Sequence, residues 1–102
     1  MKLYNWTQVT EEPLTPTATR QMIHGATLTV AKLRTKKGSI VPTHSHINEQ
    51  ITTMEKGSML FVTPTEQIVV RAGESLEDCV AIDIFSPVRE DWVRGDDAYL
   101  RG

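Results

Sequence analysis

The sequence predicts a single all-β domain, a sandwich or barrel of short antiparallel strands. Short runs rich in β-branched and aromatic residues recur along the chain, and turn-forming stretches with Gly, Pro, Ser or Lys separate them. The 102 residues suffice for one domain with a modest core. No segment has the length and periodicity of a long helix, so the strands are expected to carry the fold.

The predicted elements follow one another after an N-terminal arm at residues 1–19, where Pro13 and Pro16 are expected to stop regular structure. A barrel at 20–92 and a C-terminal tail at 93–102 complete the expected domain. Its strands are predicted at Ala26–Thr35, Ile40–His46, Gln50–Glu55, Met59–Thr63, Gln67–Arg71 and Val80–Phe85. Turns are expected between them at 36–39, 56–58, 63–65 and 72–73.

The last predicted strand has two different faces. Val80, Ile82 and Ile84 form an aliphatic face, whereas the opposite face carries Asp83 and Phe85. If the Asp83 face lines a barrel interior, the aliphatic face must be covered from outside by the arm or by a second subunit. We therefore expect a homodimer.

Composition and charge argue against several classes of function. The net charge is −2, from 11 basic and 13 acidic residues, and no basic stripe is present that would bind nucleic acid. Met1–Trp6 has no apolar run and the longest apolar stretches are strand-sized, so the expected protein is cytoplasmic, without a membrane partner. Cys79 is the single cysteine and is expected to be a buried thiol.

Two histidines form a candidate metal site. His44 and His46 are two residues apart, which on a strand places both on one face. Gln50 has the same parity, and a short turn at 47–48 can return its side-chain oxygen to the same point. Three neutral N and O donors suit Zn, Ni, Fe, Co or Mn rather than Ca or Mg. The alternative is a pair of solvent-exposed histidines. His24 is expected at the surface or at an edge.

The spacing from Gly38 to Gly57, with His44, His46 and Gln50 between them, resembles the first conserved motif of the cupin superfamily, with Gln where many members have Glu. The segment at 42–50, Pro-Thr-His-Ser-His-Ile-Asn-Glu-Gln, is similar to the same segment of small single-domain cupins of the KdgF type. The resemblance implies a double-stranded β-helix, or jelly-roll barrel. It also implies a divalent metal held by these two histidines and the glutamine.

The segment Leu76–Trp92 is similar to the last barrel strand and exit of the same family. That family is associated with converting 4,5-unsaturated monouronates, released by pectin and alginate lyases, into open-chain keto sugars. By this resemblance Asp83, Phe85 and Arg89 fall on the positions assigned to catalysis, and the expected partner is a small sugar acid.

The chemistry of these three side chains agrees with such roles. Asp83 can move a proton while the ring of Phe85 gives a sugar an apolar wall. Arg89 can pair with a substrate carboxylate in a bidentate fork. The alternatives are a salt-bridge acid, a core aromatic and a solvated exit residue.

The match departs from the family at its second motif, which normally supplies a further histidine. No histidine follows His46, and only Ser75 separates Gly73-Glu74 from Leu76. On the order of ten to fifteen residues, about two strands, are therefore missing, and the barrel is expected to be opened by this loss. Two functions stay open: a metal-dependent enzyme acting on unsaturated uronates, and a catalytically inactive cupin that serves as a ligand-binding or dimeric scaffold.

Overall fold

The computed structural model describes residues 1–41, 44–45, 47–62, 69–70, 72–75 and 77–101, and side chains at 1–40, 47–59 and 77–101. Its strands are β1 Glu12–Thr15, β2 Ala18–His24, β3 Thr29–Thr35, β4 Ile40–Val41, β5 His44–Ser45, β6 Glu49–Lys56, β7 Met59–Val62, β8 Val69–Val70, β9 Ala72–Ser75 and β10 Cys79–Ser86. Helix α1 covers Glu90–Val93, and 3₁₀ helices cover Trp6–Gln8 and Ala98–Leu100. Within the described ranges, no helix is long and apolar enough to cross a membrane.

The strands form antiparallel sheets, which confirms the all-β prediction. The largest sheet has five strands in the order β1-β2-β3-β10-β6. A three-stranded sheet has the order β4-β9-β7, and β5 pairs with β8. Strand β10 lies between β3 and β6 in the large sheet, and its successive side chains point to opposite faces of that sheet.

Burial alternates along β10. Asp83 and Phe85 are buried, so the predicted inner face lies in the interior. The aliphatic face is only partly covered within one chain, because Ile82 is half-buried and Ile84 is 37% exposed. Ile84 pairs with Ile51 of β6, which is 56% exposed. Two neighbouring isoleucines therefore form an open apolar area on the outer face.

The prediction of an irregular arm at 1–19 is wrong at 12–15 and 18–19, which form β1 and the start of β2. Pro13 fits β1 because this strand lies at the edge of the sheet, where a missing N–H removes no ladder bond on the open side. Further upstream, Gln21 Nε2 donates to the carbonyls of Trp6 at 2.7 Å and Val9 at 2.8 Å. The 3₁₀ helix is thereby held against Gln21 of β2.

The predicted turn at Ala72-Gly73 is also wrong, because these residues lie in β9. Gly73 pairs with Val41 on one side and Phe61 on the other. Ladder bonds to both neighbours outweigh the weak strand preference of glycine. The predicted strand Gln67–Arg71 overlaps β8, and its other residues lie outside the described part of the chain. Leu76, in the connection where the second cupin motif is missing, also lies outside the described part of the chain.

The core joins the large sheet to the C-terminal segment. Its buried apolar residues are Leu14, Ala31, Phe85, Trp92 and Leu100. The rings of Phe85 and Trp92 meet edge to face, with centroids 5.1 Å apart and an interplanar angle of 73°. Such a pair adds about 0.5–1.5 kcal/mol to simple burial. The residues after β10 therefore close the interior as part of the core.

A buried ion-pair cluster ties β1 and β2 to the C-terminal segment. Arg20 is 1% exposed, and it donates through Nε to Glu12 at 2.7 Å and through Nη2 to Asp97 at 2.5 Å. Its guanidinium also lies 4.7 Å from the ring centroid of Trp92. Burial works to raise the pKa of Asp97, but hydrogen bonds from Arg20 and Arg101 outweigh it and hold this pKa below its usual value.

Gly57 is predicted to tolerate alanine much less well than Gly38. Both have positive φ, +81° and +86°, so Cβ strain of about 1–2 kcal/mol applies to each. A Cβ on Gly57 would also clash with the carbonyl oxygen of Asp78, whereas one on Gly38 would meet no atom of the described residues within 4 Å. Urea unfolding should therefore show a clearly larger loss of stability for Gly57→Ala than for Gly38→Ala. Equal losses would mean that the backbone at Gly57 relaxes freely.

Candidate functional site

A row of hydrogen-bonded polar side chains crosses from β6 to β10 on the inner face of the large sheet. Gln50 Nε2 donates to Thr52 Oγ1 at 2.8 Å, and Thr52 Oγ1 donates to Asp83 Oδ1 at 2.6 Å. Thr52 pairs with Asp83 in the ladder, and Gln50 pairs with Phe85. The row thus joins a predicted metal ligand to a predicted catalytic acid through Thr52. Sequence reasoning did not single out Thr52, although its parity with Gln50 was the available signal.

The row fixes the orientation of the Gln50 amide. A threonine hydroxyl has one proton, and this proton goes to the Asp83 carboxylate, so Thr52 must accept from the amide nitrogen. The amide oxygen Oε1 is therefore the atom that does not face Thr52. An amide oxygen is a suitable ligand for a divalent cation. Gln50 is half-buried on the inner face, and its part in a metal centre stays a prediction.

The two histidines of the motif are described less fully. The backbone of His44 lies in β5 and pairs with Val70 of β8, but its side chain and the whole of His46 lie outside the described residues. Convergence of the two imidazoles on Gln50 stays a prediction. Among the described side chains, no group of three or more His, Cys, Asp or Glu residues is placed to hold a metal.

Arg89 lies at the exit of β10 between aromatic rings. Its guanidinium carbon is 4.6 Å from the ring centroid of Phe85 and 4.0 Å from that of Trp92. Nε and Nη2 donate to the two oxygens of Asp91 at 2.9 and 2.8 Å, and Nη2 also donates to Tyr99 at 3.0 Å. The fork predicted to bind a substrate carboxylate is therefore occupied by Asp91, which corrects that expectation.

The environment of Arg89 keeps it charged. Burial opposes the charge, but the hydrogen bonds to Asp91 and Tyr99 outweigh it and raise the pKa of Arg89. The hydrogen bonds that Arg89 donates to Asp91 lower the pKa of Asp91 and outweigh the opposite effect of burial. Arg89 is 0% exposed, which excludes the alternative of a solvated exit residue.

One nitrogen of Arg89 is unsatisfied. Its Nη1 is buried and has no hydrogen-bond partner among the described residues. A buried donor without a partner costs about 1–3 kcal/mol, more when it is charged. An anionic oxygen placed beside Nη1 would remove this cost, and it would lie near the ring of Phe85.

Two polar residues hold the backbone at Arg89. Thr29 Oγ1 accepts a hydrogen bond from the backbone N–H of Arg89 at 2.9 Å and lies 2.8 Å from His24 Nδ1. Burial, followed by the charge of Arg20, lowers the pKa of His24, and Glu90 opposes this effect. His24 is half-buried, so it is more enclosed than the sequence suggested. It supports the exit of β10 through Thr29.

Asn48 ties the turn of the metal motif to the same exit. Its side chain is buried, and Nδ2 donates to the carbonyls of Pro87 at 2.5 Å and Val88 at 3.2 Å. The turn at 47–48 is thereby held next to the chain that leads to Arg89. Sequence reasoning placed a turn here but did not identify this contact.

No protein-family model and no curated protein matches this sequence. Among solved structures, KdgF from Halomonas sp. is similar, with a TM-score of 0.75 and 20% identity over 89% of this chain and 99% of that one. An RmlC-like cupin from Shewanella frigidimarina has a TM-score of 0.71 and 22% identity over 90% and 96% of the two chains. Oxalate decarboxylase from Bacillus subtilis, which has Mn(II) centres, has a TM-score of 0.68 and 12% identity over 88% of this chain and 33% of that one.

Proposed function

We propose that this chain, which has the cupin jelly-roll fold, is a metal-dependent enzyme of the KdgF type, which converts 4,5-unsaturated monouronates into open-chain keto sugars. The structural similarity to KdgF agrees with the predicted resemblance. The observation that supports this most is the row Gln50–Thr52–Asp83, because it joins a metal-ligand type to a buried acid. A cytoplasmic location is part of the same proposal.

His44, His46 and Gln50 would hold the metal, with Zn, Ni, Fe, Co and Mn as the candidates for this donor set. When bound, the cation supplies Lewis-acid polarisation of a substrate oxygen. The fixed amide of Gln50 is the part of this site that the described side chains support. A position not filled by protein would be left to water or substrate, as in other catalytic metal sites.

Asp83 is the proposed proton carrier. The reaction is an isomerisation: a hydroxyl proton leaves the sugar, a ring C–O bond opens, and a carbon of the former double bond gains a proton. One carboxylate can accept the first proton and deliver the second. The hydrogen bond from Thr52 fixes the rotation of the Asp83 carboxylate, so the transfer does not begin from a freely rotating group.

Arg89 and Phe85 are the proposed substrate-binding residues. The substrate carboxylate would contact Nη1 of Arg89, since Nε and Nη2 already bind Asp91. The ring of Phe85 lies 4.6 Å from the same guanidinium, and part of it would have to become accessible to give the sugar an apolar wall. Asp91 and Tyr99 would hold the guanidinium in place while Nη1 binds the anion.

The proposal is tested by turnover and metal content of the purified protein. The substrate is the 4,5-unsaturated monomer made by exhaustive lyase digestion of polygalacturonate, and the readout is loss of its ultraviolet absorbance. We expect turnover that a chelator abolishes and one of the five candidate cations restores. A protein that neither retains metal nor consumes the monouronate with any of these cations would overturn it.

The second candidate function is an inactive cupin that binds a small sugar acid or acts as a dimeric scaffold. The absence of any histidine after His46 favours it. Binding of the monouronate without turnover would select this alternative.

We also propose a homodimer through the open area of Ile51 and Ile84, because exposed apolar strand residues invite pairing. Sedimentation should give a dimer that Ile51→Glu dissociates. Ile51→Val, which keeps the apolar surface, is the matched control and should leave the dimer intact. A monomeric parent at high protein concentration would contradict the dimer.

A further inference from the structure

A groove of about 480 Å³ lies at the end of the large sheet where β10 begins. Its floor includes four residues that follow one another across β2, β3, β10 and β6: Thr19, Arg34, Val80 and Lys56. We call it the end groove. None of the candidate-site residues Gln50, Thr52, Asp83 and Arg89 lines the end groove, so it is separate from the candidate site. Its volume is in the range of small-molecule sites, about 300–1,000 Å³.

The end groove is positively charged. Arg34, Lys36 and Lys56 line it against a single acid, Asp78. The Asp78 carboxylate is already engaged, since its Oδ1 accepts the backbone N–H of Lys37 at 2.9 Å. Among the described residues, no carboxylate lies within ion-pair distance of Lys36 or Lys56.

Arg34 makes a weak ion pair with Glu11, a residue that does not line the end groove. Its Nη1 lies 3.4 Å from Glu11 Oε2, and both side chains are more than 40% exposed. Such a pair contributes little, about 0–1 kcal/mol, and leaves Arg34 available to a stronger anion. The same Nη1 donates to Gln21 Oε1 at 2.8 Å, which holds the guanidinium beside the groove.

A β-bulge places one of these cations in the groove. The register between β10 and β6 shifts so that Val80 pairs with Lys56 while Ala81 pairs with Met54. Regular pairing would instead set Glu55 opposite Val80. Glu55 turns to Lys32, 3.6 Å away. The bulge thus replaces an acid by a base at the floor of the groove, in keeping with the use of bulges to re-aim side chains near sites.

We propose that the end groove binds a small organic anion. Its phosphate or carboxylate group would lie among Arg34, Lys36 and Lys56. The apolar body would rest on Val80, Pro16 and Ala18, which line the same groove. The inference does not depend on the proposed enzyme activity.

Titration of the full chain with phenyl phosphate, followed by amide shifts in heteronuclear NMR spectra, tests the site. We expect the shifts to concentrate at the groove. Lys56→Glu and Lys36→Glu should each weaken binding about tenfold or more, because attraction becomes repulsion. Lys2→Glu, an exposed lysine outside the groove, is the control and should leave binding unchanged. Equal affinity in all these variants would overturn the proposal.

Further probes test the apolar body and the anionic group of the ligand separately. Phenyl phosphate should bind more tightly than inorganic phosphate, because the ring uses the apolar wall; equal affinity would contradict the organic ligand. Benzoate in place of phenyl phosphate identifies the preferred anionic group, and either preference supports the site. Asp83→Asn should leave the affinity unchanged. Loss of binding in that variant would place the probe in the candidate active site and overturn the inference, whatever the outcome of the turnover assay.

Discussion

Replacing Asp97 by alanine is expected to lower the free energy of unfolding by about 3 kcal/mol. The change removes the carboxylate that Arg20 Nη2 binds and leaves Glu12 as its remaining acidic partner. Arg20 is 1% exposed and already has one nitrogen, Nη1, without a partner among the described residues. A buried charge with two unsatisfied nitrogens has no water to compensate it, which is why the cost is large.

Asp96→Ala is the matched control. Asp96 lies next to Asp97 but pairs with Arg94, and the two side chains are 65% and 60% exposed. Its loss should change stability by no more than about 0.5 kcal/mol. Urea unfolding followed by tryptophan fluorescence measures both variants, since Trp92 lies against Arg20. Similar midpoints for Asp96→Ala and Asp97→Ala would show that Glu12 alone compensates Arg20.

The same interaction gives stability a definite pH dependence. The pKa of Asp97 is lowered on folding, so the unfolded chain takes up a proton first as the pH falls. The stabilisation is complete above the ordinary aspartate pKa of about 4 and is lost below it. Asp97→Ala should therefore show a shallower loss of stability in acid than the parent protein.

The fold was predictable wherever strands alternate in hydrophobicity. β10 follows this rule, with Asp83 and Phe85 inward and Ile84 outward. β2 was missed over its whole length, Ala18–His24, because its inward positions include Arg20, a residue expected in solvent. This residue becomes an interior one only through Asp97, which is 77 positions away in the chain and cannot be inferred from local pattern.

In the candidate site, the face on which Gln50 and Asp83 lie was predictable from the sequence, whereas the contacts of these side chains were not. Strand parity correctly placed Gln50 and Asp83 on one inner face, yet it did not identify Thr52 as the bond between them. The fork of Arg89 was assigned to a substrate, whereas Asp91, two residues later, fills it. Which carboxylate the Arg89 guanidinium binds depends on how the chain turns after β10, and the hydrophobic pattern of the sequence does not predict that turn.

Asp83→Asn is expected to reduce turnover of the unsaturated monouronate at least about a hundredfold, because it removes the group that carries the proton. The amide is nearly isosteric with the carboxylate, so metal content and folding should be unchanged. Parental turnover in Asp83→Asn would remove Asp83 from the mechanism.

Thr52→Val tests whether the hydrogen-bonded row matters beyond the acid itself. Valine keeps the shape of threonine but breaks both bonds, so Asp83 loses its fixed rotation and Gln50 loses the partner that orients its amide. Turnover should fall, with a smaller loss than for Asp83→Asn, and metal affinity should weaken as well. Thr53→Val is the control: Thr53 is exposed on the outer face and makes only a 3.4 Å contact with the carbonyl of Ile82. A fall in metal affinity for Thr52→Val that Thr53→Val does not share would link Gln50 to the metal through its orientation, since neither substitution alters a proposed ligand.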